Sequence, residues 1–341
     1  VTDLNVGLVG YGYVGKTFHA PLISATPGMR LAGVVSSRPD DVAADWPDAA
    51  VHPTLDALLA SRPDLVVIAT PNDLHEPQAR AALRAGCAVV VDKPFTLTVA
   101  EAEGLERLAE EMGRLLSVFH NRRWDGEFLT LKRLIADGSL GTIRRFESHI
   151  DRYRPQVRDR WRENAGPGAG LWFDLGPHLV DQALQLFGWP EAITADLATL
   201  RPGGQSTDYV HVVLRYPGVR AILHADVTSP APDLRMAVQG DKGGWIKTGM
   251  DVQEDQLKAG MTPGAPGWGV DPRPGVLTDG ATGRRRETPG QAGGQQAYYA
   301  AVAAALRGEG PNPVTAAEAI QVMRVIEAGE RSARERRDVA L

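Results

Sequence analysis

The chain has 341 residues, enough for two or more domains and a sizeable core. Its 37 Lys+Arg against 42 Asp+Glu give a formal net charge of −5, which excludes the basic footprint of a nucleic-acid binder. One cysteine, Cys87, excludes an intrachain disulfide and a cysteine-built zinc site, and no metal is expected. No apolar run approaches the ~18 residues of a membrane span, and the sequence opens on a strand pattern without a signal peptide, so a cytoplasmic protein is expected.

Over the first 120 residues, short apolar runs alternate with helical patterns. The runs are Leu4–Val9, Leu31–Ser36, Leu65–Ala69, Ala88–Val91 and Leu115–Phe119. The helical stretches are Gly15–Ala25, Leu55–Ala60, Glu76–Ala85 and Val99–Met112. Nearly continuous apolar strands between helices imply a parallel sheet covered on both faces. Thr98 and Glu101 have the spacing of a capping box, and Gly86 sits where a helix-ending glycine belongs.

After Asn121 the pattern changes. A helix is predicted over Gly126–Ala136, a strand over Thr142–Ile150 and a helix over Val180–Phe187. Alternating strands follow at Ala192–Leu200, Tyr209–Tyr216, Val219–Val227 and Leu234–Gln239. Tyr216-Pro217-Gly218 reads as a hairpin turn. Residues 248–294 are rich in Gly and Pro, yet Trp268, Leu257 and a Gln-Leu pair beside acidic residues argue for order. Helices Gln295–Leu306 and Ala316–Arg331 close the chain. The expected architecture is α/β. Residues 1–120 form a Rossmann dinucleotide-binding domain. Residues 121–341 form an α/β domain for substrate and oligomerisation, on a large, open, mainly antiparallel sheet.

Chemistry enters at the first turn. Gly10-Tyr11-Gly12-Tyr13-Val14-Gly15 is G-x-G-x-x-G at a strand–helix junction. The first glycine permits the tight turn, the second lets backbone approach a pyrophosphate, and the third lets helix and strand pack closely. The end of the second strand reads the ribose, and here it carries Ser36, Ser37 and Arg38 with no acid before Asp40. Two hydroxyls and a guanidinium suit a 2′-phosphate, which favours NADP over NAD. The competing reading has Arg38 merely on the surface and Asp40 reaching back to the ribose.

These residues, with three further elements, are similar to the glucose–fructose oxidoreductase / inositol dehydrogenase family (Gfo/Idh/MocA). The elements are the glycine loop with His19-Ala20-Pro21, Ile68-Ala69-Thr70-Pro71-Asn72 with His75, Asp92-Lys93-Pro94, and Asp174-Leu175-Gly176-Pro177-His178. The resemblance covers essentially the whole chain. The one departure is Asp92 for the usual Glu, and it keeps the carboxylate. Stretches Gly7–Ile23, Asp151–Arg162 and Asp251–Gly269 resemble an NADP-linked scyllo-inositol or sugar dehydrogenase subgroup.

Lys93 follows a buried strand, where open α/β sheets bind ligands, and an ammonium there can stabilise a developing alkoxide. The resemblance implies that Lys93 belongs to the active site and that the Lys93–Pro94 bond is cis. Pro177 suits the first position of a helix, and the i, i+4 spacing sets Asp174 and His178 on one side if that helix begins early enough. His178 is then the proton acceptor for an alcohol, with Asp174 binding substrate and orienting the imidazole. On spacing alone, a helix-capping Asp174 and a structural His178 are the better reading; the resemblance favours catalysis.

The resemblance also aligns Asn72 with the nicotinamide side, beside Thr70, Pro71 and His75, although His75 also reads as a simple helix-start residue. Asn121 and Arg122 either bridge cofactor and substrate or seal the domain junction. Tyr153, Arg154, Arg158, Trp161 and Arg162 suit a polyhydroxylated or anionic ligand and are equally ordinary for a rim. The 248–294 segment reads as a lid or as a subunit contact. Tyr298, Tyr299, Val302 and Cys87 read as core.

The expected reaction is reversible hydride transfer between NADP and a hydroxyl-bearing carbon of a sugar or cyclic polyol. Lys93 would position the oxygen, His178 would move the proton, and Asp174 would support both. The resemblance implies a homodimer or larger homo-oligomer paired through the C-terminal sheet. Two rivals share the fold: a non-catalytic NAD(P)-sensing regulator, and a glycosidase holding NAD tightly. The presence of Lys93, Asp174 and His178 together argues against the sensor.

Overall fold

The computed structural model describes residues 2–341 and divides into two compact units. The first holds the residues up to Trp124 with Gln253–Gly269 and Gly294–Gln321; the second holds Asp125–Val252, Val270–Gly293 and Val322–Leu341.

The first unit is a parallel sheet of six strands: β1 (Leu4–Val9), β2 (Met29–Val35), β3 (Ala50–His52), β4 (Leu65–Ile68), β5 (Ala88–Val91) and β6 (Leu116–Val118). Their spatial order is β3-β2-β1-β4-β5-β6, so the order reverses between β1 and β4. Ligands bind outside the carboxyl ends of strands at such a point. Every residue of β4 and β5 is buried, as an all-apolar run covered on both faces requires. The capping box at Thr98 forms: its side chain accepts from Glu101 N–H while the Glu101 carboxylate accepts from Thr98 N–H. Gly86 has φ +84°, the left-handed conformation that ends the preceding helix.

Two elements escape the sequence pattern, the edge strand β3 and the helix Pro39–Asp45, because three and seven residues are too few for a period. The single helix read over Gly15–Ala25 is two pieces. Gly15–His19 is wound as a π-helix, and Ala20 N–H donates to Gly15 O, five residues back. Ala20–Ser24 continues as an α-helix, with Pro21 in its first turn contributing no N–H.

The second unit is a sheet of nine strands: β7 (Ile143–His149), β8 (Ala192–Ala198), β9 (Tyr209–Tyr216), β10 (Val219–Asp226), β11 (Leu234–Gly240), β12 (Gly243–Thr248), β13 (Gly275–Asp279), β14 (Arg285–Thr288) and β15 (Val339–Ala340). The order is β14-β13-β12-β11-β7-β10-β9-β8-β15, and only β7 and β10 pair in parallel. In β9 the side chains of Val210, Val212, Leu214 and Tyr216 are buried, while Tyr209, His211, Val213 and Arg215 on the opposite face are half-buried. Arg235 of β11 ties the inner face to the helices Gly126–Ala136 and Leu171–Phe187. It donates to Glu127 at 2.8 Å, to Gln182 at 3.1 Å and to Ser148 at 2.7 Å, fully buried.

The helix read over Val180–Phe187 starts at Leu171 instead, and Pro177 lies inside it rather than at its first position. Burial overrides the proline: Leu171, Trp172 and Phe173 are core, and the Trp172 indole donates to Ile326 O at 2.9 Å. Gly176 and Gly329 make room for that ring, since a Cβ on either would lie 2.6–2.7 Å from it. The 248–294 segment is ordered, with a helix at Gln253–Lys258 and strands β13 and β14. Trp268 and Leu257 are buried, and Trp268 Nε1 donates to Gln296 Oε1 at 2.7 Å. Tyr298, Tyr299, Val302 and Cys87 are core, as read.

Candidate active site

The glycine loop joins β1 to the π-helix at the reversal of strand order. Each glycine stands where its role requires. Gly10 has φ +98°, and a Cβ there would lie 2.6 Å from Ala69 O. A Cβ on Gly15 would lie 2.1 Å from Gly10 O, so only hydrogen fits between helix and turn. A Cβ on Gly12 would meet nothing within 4 Å. A pyrophosphate approaching backbone needs open space of this kind, so the residues present fit a dinucleotide.

Ser36, Ser37 and Arg38 follow β2. Arg38 N–H donates to Ser36 Oγ at 2.9 Å, and the guanidinium donates to Tyr11 O of the glycine loop while pairing with Asp41 at 3.3 Å. Around it Tyr11 OH donates to Asp45 at 2.8 Å and accepts from Trp46 Nε1 at 2.9 Å, and Lys16 pairs with Asp45 at 2.6 Å. Burial and Asp45 push the Tyr11 phenol well up, while Lys16 and Tyr11 hold Asp45 below the usual carboxylate range.

The ends of β4 and β5 supply the next group. Thr70 Oγ1 donates to Gln78 at 2.7 Å, and Asn72 is buried in a short turn that leads into the helix His75–Arg84. His75 is more than a helix-start residue. It is fully buried, with Nδ1 2.8 Å from Pro94 O and Nε2 3.0 Å from Thr70 O, so its ring bridges the turns after β4 and β5. Burial holds its pKa below the ordinary imidazole value, against the opposing pull of Asp92 and the two carbonyls.

Lys93 is buried at 9% exposure, one residue beyond Asp92, and the Lys93–Pro94 bond is cis. Asp92 Oδ1 lies 3.8 Å from His19 Nε2, and His19 Nδ1 meets Tyr299 OH at 2.6 Å. Burial alone would raise the Asp92 carboxyl, but His19, Lys93 and His75 outweigh it and hold it low. The residues alone gave no role to this His19–Asp92–Tyr299 chain; His19-Ala20-Pro21 and Asp92 were the only signals.

Asn121 is buried after β6, and Arg122 Nη2 is 4.0 Å from Glu254 Oε2. Glu254 also accepts from Tyr13 OH and pairs with Lys258 at 2.9 Å. These partners, against burial, keep Glu254 ionised at lower pH than usual. Tyr13 is thereby fixed beside Val14 in the glycine loop by a segment 241 residues away, which no local pattern reveals.

In the second unit, Asp174 and His178 both lie within the helix Leu171–Phe187, four residues apart. Asp174 does not cap it: Gly170 holds the cap position, and Asp174 N–H donates to Gly170 O at 3.1 Å. His178 is buried, and Arg162 Nε lies 3.5 Å from Asp174 Oδ1 with its guanidinium over the Trp161 ring at 4.3 Å. Tyr153 is exposed and bridges Thr228. Arg158 is taken up by Glu163 at 2.8 Å. Of the read cluster, Arg162 pairs with Asp174, and Arg154 lies near enough to feel the same carboxylate.

Fold and loop together define a dinucleotide-binding protein with a second, mixed-sheet unit. The chain belongs to the Gfo/Idh/MocA oxidoreductase family: residues 4–120 match its NAD-binding Rossmann fold and residues 132–341 its C-terminal alpha/beta domain. It is 53% identical to the "uncharacterized oxidoreductase YdgJ" of Escherichia coli (strain K12), over 99% of each chain. It is 40% identical to the "scyllo-inositol 2-dehydrogenase (NADP(+)) IolW" of Bacillus subtilis (strain 168), over 100% of this chain and 97% of that one. Among solved structures it superposes on the YPO2259 protein of Yersinia pestis with TM-score 0.95 at 52% identity, covering 100% of this chain and 98% of that one. The chain is therefore an NAD(P)-dependent oxidoreductase. No helix among the described residues is long and apolar enough to cross a membrane.

Proposed function

We propose that the protein is an NADP-linked dehydrogenase of a sugar or cyclic polyol, with Lys93 and His178 acting on the oxygen that becomes the carbonyl. The observation that carries this reading is a buried lysine at the carboxyl end of a strand in the sheet that bears the glycine loop. Ligands in an open α/β sheet bind at the carboxyl ends of its strands, and an ammonium placed there can donate to a substrate oxygen acquiring negative charge. The name of IolW, at 40% identity over the full chain, points to the same substrate class and cofactor.

The bound dinucleotide supplies hydride acceptor and donor chemistry. Gly10, Gly12, Tyr13, Val14 and Gly15 hold its pyrophosphate; Ser36, Ser37 and Arg38 hold a 2′-phosphate. Thr70, Pro71, Asn72, Lys93 and Asn121 would line the nicotinamide side, and His75, buried beneath them, holds the turns after β4 and β5 in place. Lys93 Nζ donates to the reacting oxygen and favours its anionic form. His178 takes the hydroxyl proton during oxidation and returns it during reduction. Asp174 binds a neighbouring hydroxyl and orients the imidazole, and Arg162, held beside Asp174, joins Arg122 and Tyr153 in contacting the remaining hydroxyls. The outer face of the nine-stranded sheet pairs subunits in this reading, which rests on the family resemblance. The test is a panel of inositols and aldoses assayed by absorbance with NADP and with NAD. Turnover of at least one polyol, faster with NADP, is expected; no turnover with any of them overturns the reading.

A further inference from the structure

The outer face of the nine-stranded sheet gathers imidazoles and carboxylates that the redox chemistry does not use. Register brings them together. His149 of β7 pairs with His224 of β10, and His224 pairs with His211 of β9, so three histidines stand side by side. Residues two apart in a strand share a face, which adds Glu147 and Asp151 beside His149 and Asp226 beside His224.

The carboxylates are not equivalent. Asp226 is committed to its own turn, accepting from Thr228 N–H at 3.0 Å, Ser229 N–H at 2.9 Å and Ser229 Oγ at 2.9 Å. Glu147 pairs with Arg145 at 3.0 Å, and its other oxygen lies 3.5 Å from His149 Nε2, too loosely aligned for a hydrogen bond. Asp151 has only the histidines: Oδ2 is 3.4 Å from His149 Nδ1, and Oδ1 is 3.7 Å from His224 Nε2. Asp151 Oδ1 and His149 Nε2 are enclosed without a hydrogen-bond partner. Such atoms are expensive to bury and call for an explanation.

We propose that His149, Asp151 and His224 form a binding site for one late first-row divalent cation, of which zinc is the probe of choice. Their ligand atoms all lie within 4.8 Å of one another. Ligands about 2.0–2.1 Å from a tetrahedral zinc stand roughly 3.3 Å apart; the contacts of 3.4 and 3.7 Å run to the two oxygens of the Asp151 carboxylate, so a small turn of that group presents one oxygen to a cation shared with both imidazoles. Two imidazoles and one carboxylate are ligands that zinc accepts, leaving a fourth position for water.

The surroundings suit this role. His211 Nδ1 lies 3.4 Å from His224 Nδ1. With Nε2 of His224 turned to the cation, its Nδ1 carries the hydrogen and donates to His211, as the outer nitrogen of a ligating histidine commonly does. Glu147, Asp151 and Asp226 against Arg145 leave the cluster net negative, which favours a dication.

The test uses the full chain, stripped with a chelator and dialysed against zinc chloride, with bound metal counted by elemental analysis. One zinc per chain is expected, and zinc should raise the thermal midpoint. Asp151→Asn and His224→Ala should each weaken binding by about 10-fold or more, while His52→Ala, in the first unit, should not. Cobalt(II) in place of zinc gives an independent spectrum that must be lost in the same two variants. No stoichiometric zinc in the wild-type chain overturns the proposal, whatever the folding of the variants. Unchanged affinity in folded Asp151→Asn and His224→Ala chains overturns it as well.

Discussion

Replacing Gly12 with alanine should separate cofactor binding from folding. A Cβ at this position meets no heavy atom within 4 Å, and the backbone is outside the left-handed region. Stability should therefore move by less than about 0.5 kcal/mol. The new methyl instead fills the space through which a pyrophosphate meets backbone N–H groups. Hydrogen bonds to a charged group contribute about 1.5–3 kcal/mol each. Loss of one such bond weakens NADPH binding by about 10- to 150-fold. Gly15→Ala is the contrasting case: its Cβ would stand 2.1 Å from Gly10 O, a backbone atom that cannot swing aside. Overpacking of this kind destabilises by about 1–3 kcal/mol or more. Fluorescence titration with NADPH and urea unfolding of both variants form the assay. Wild-type affinity in Gly12→Ala, or a stability loss in it to match Gly15→Ala, would refute the reasoning.

Arg38→Ala should raise the KM for NADP by about 10- to 100-fold and leave that for NAD within about twofold, because one charge-assisted contact to a 2′-phosphate is removed; equal effects on both cofactors would place Arg38 outside the ribose site. Arg235→Met should destabilise by about 3–5 kcal/mol in urea unfolding by stranding the buried Glu127, and the double variant with Glu127→Leu should recover most of that. Recovery failing in a folded double variant would mean that the pair does more than neutralise itself. His75 is buried with a lowered pKa, so the unfolded chain binds its proton first. Stability attached to His75 is thus complete above about pH 6.5 and falls as the pH drops toward its lower folded value. Urea midpoints of His75→Gln should be flatter than wild type below pH 6.5; parallel curves would deny the linkage.

Much of the first unit was legible because its signals are local. Buried strands such as Leu65–Ile68 and Ala88–Val91 are unbroken apolar runs, and the three glycines have fixed separations. The start of the helix at Leu171 was not legible. Its first turn is Leu-Trp-Phe without a capping side chain, and Pro177 signalled a beginning where burial against Ile326 carried the helix through. The contact of Tyr13 with Glu254 depends on tertiary folding across 241 residues, and periodicity holds no trace of it. The same is true of His149 and His224, whose meeting is set by strand register between β7 and β10. Candidate residues with a strand-end address, such as Lys93, could be read. Those whose partners arrive from a distant segment, such as His19 with Tyr299, could not.

In the proposed reaction Lys93 and His178 serve one reacting oxygen. Turnover and NADPH affinity measured side by side in wild type, Lys93→Ala and His178→Ala, with a polyol that the wild type oxidises, test this pairing. Both variants should lose turnover by about 10²-fold or more, with NADPH still bound by each. Full turnover in either variant, or loss of NADPH binding in step with turnover in both, would contradict the account.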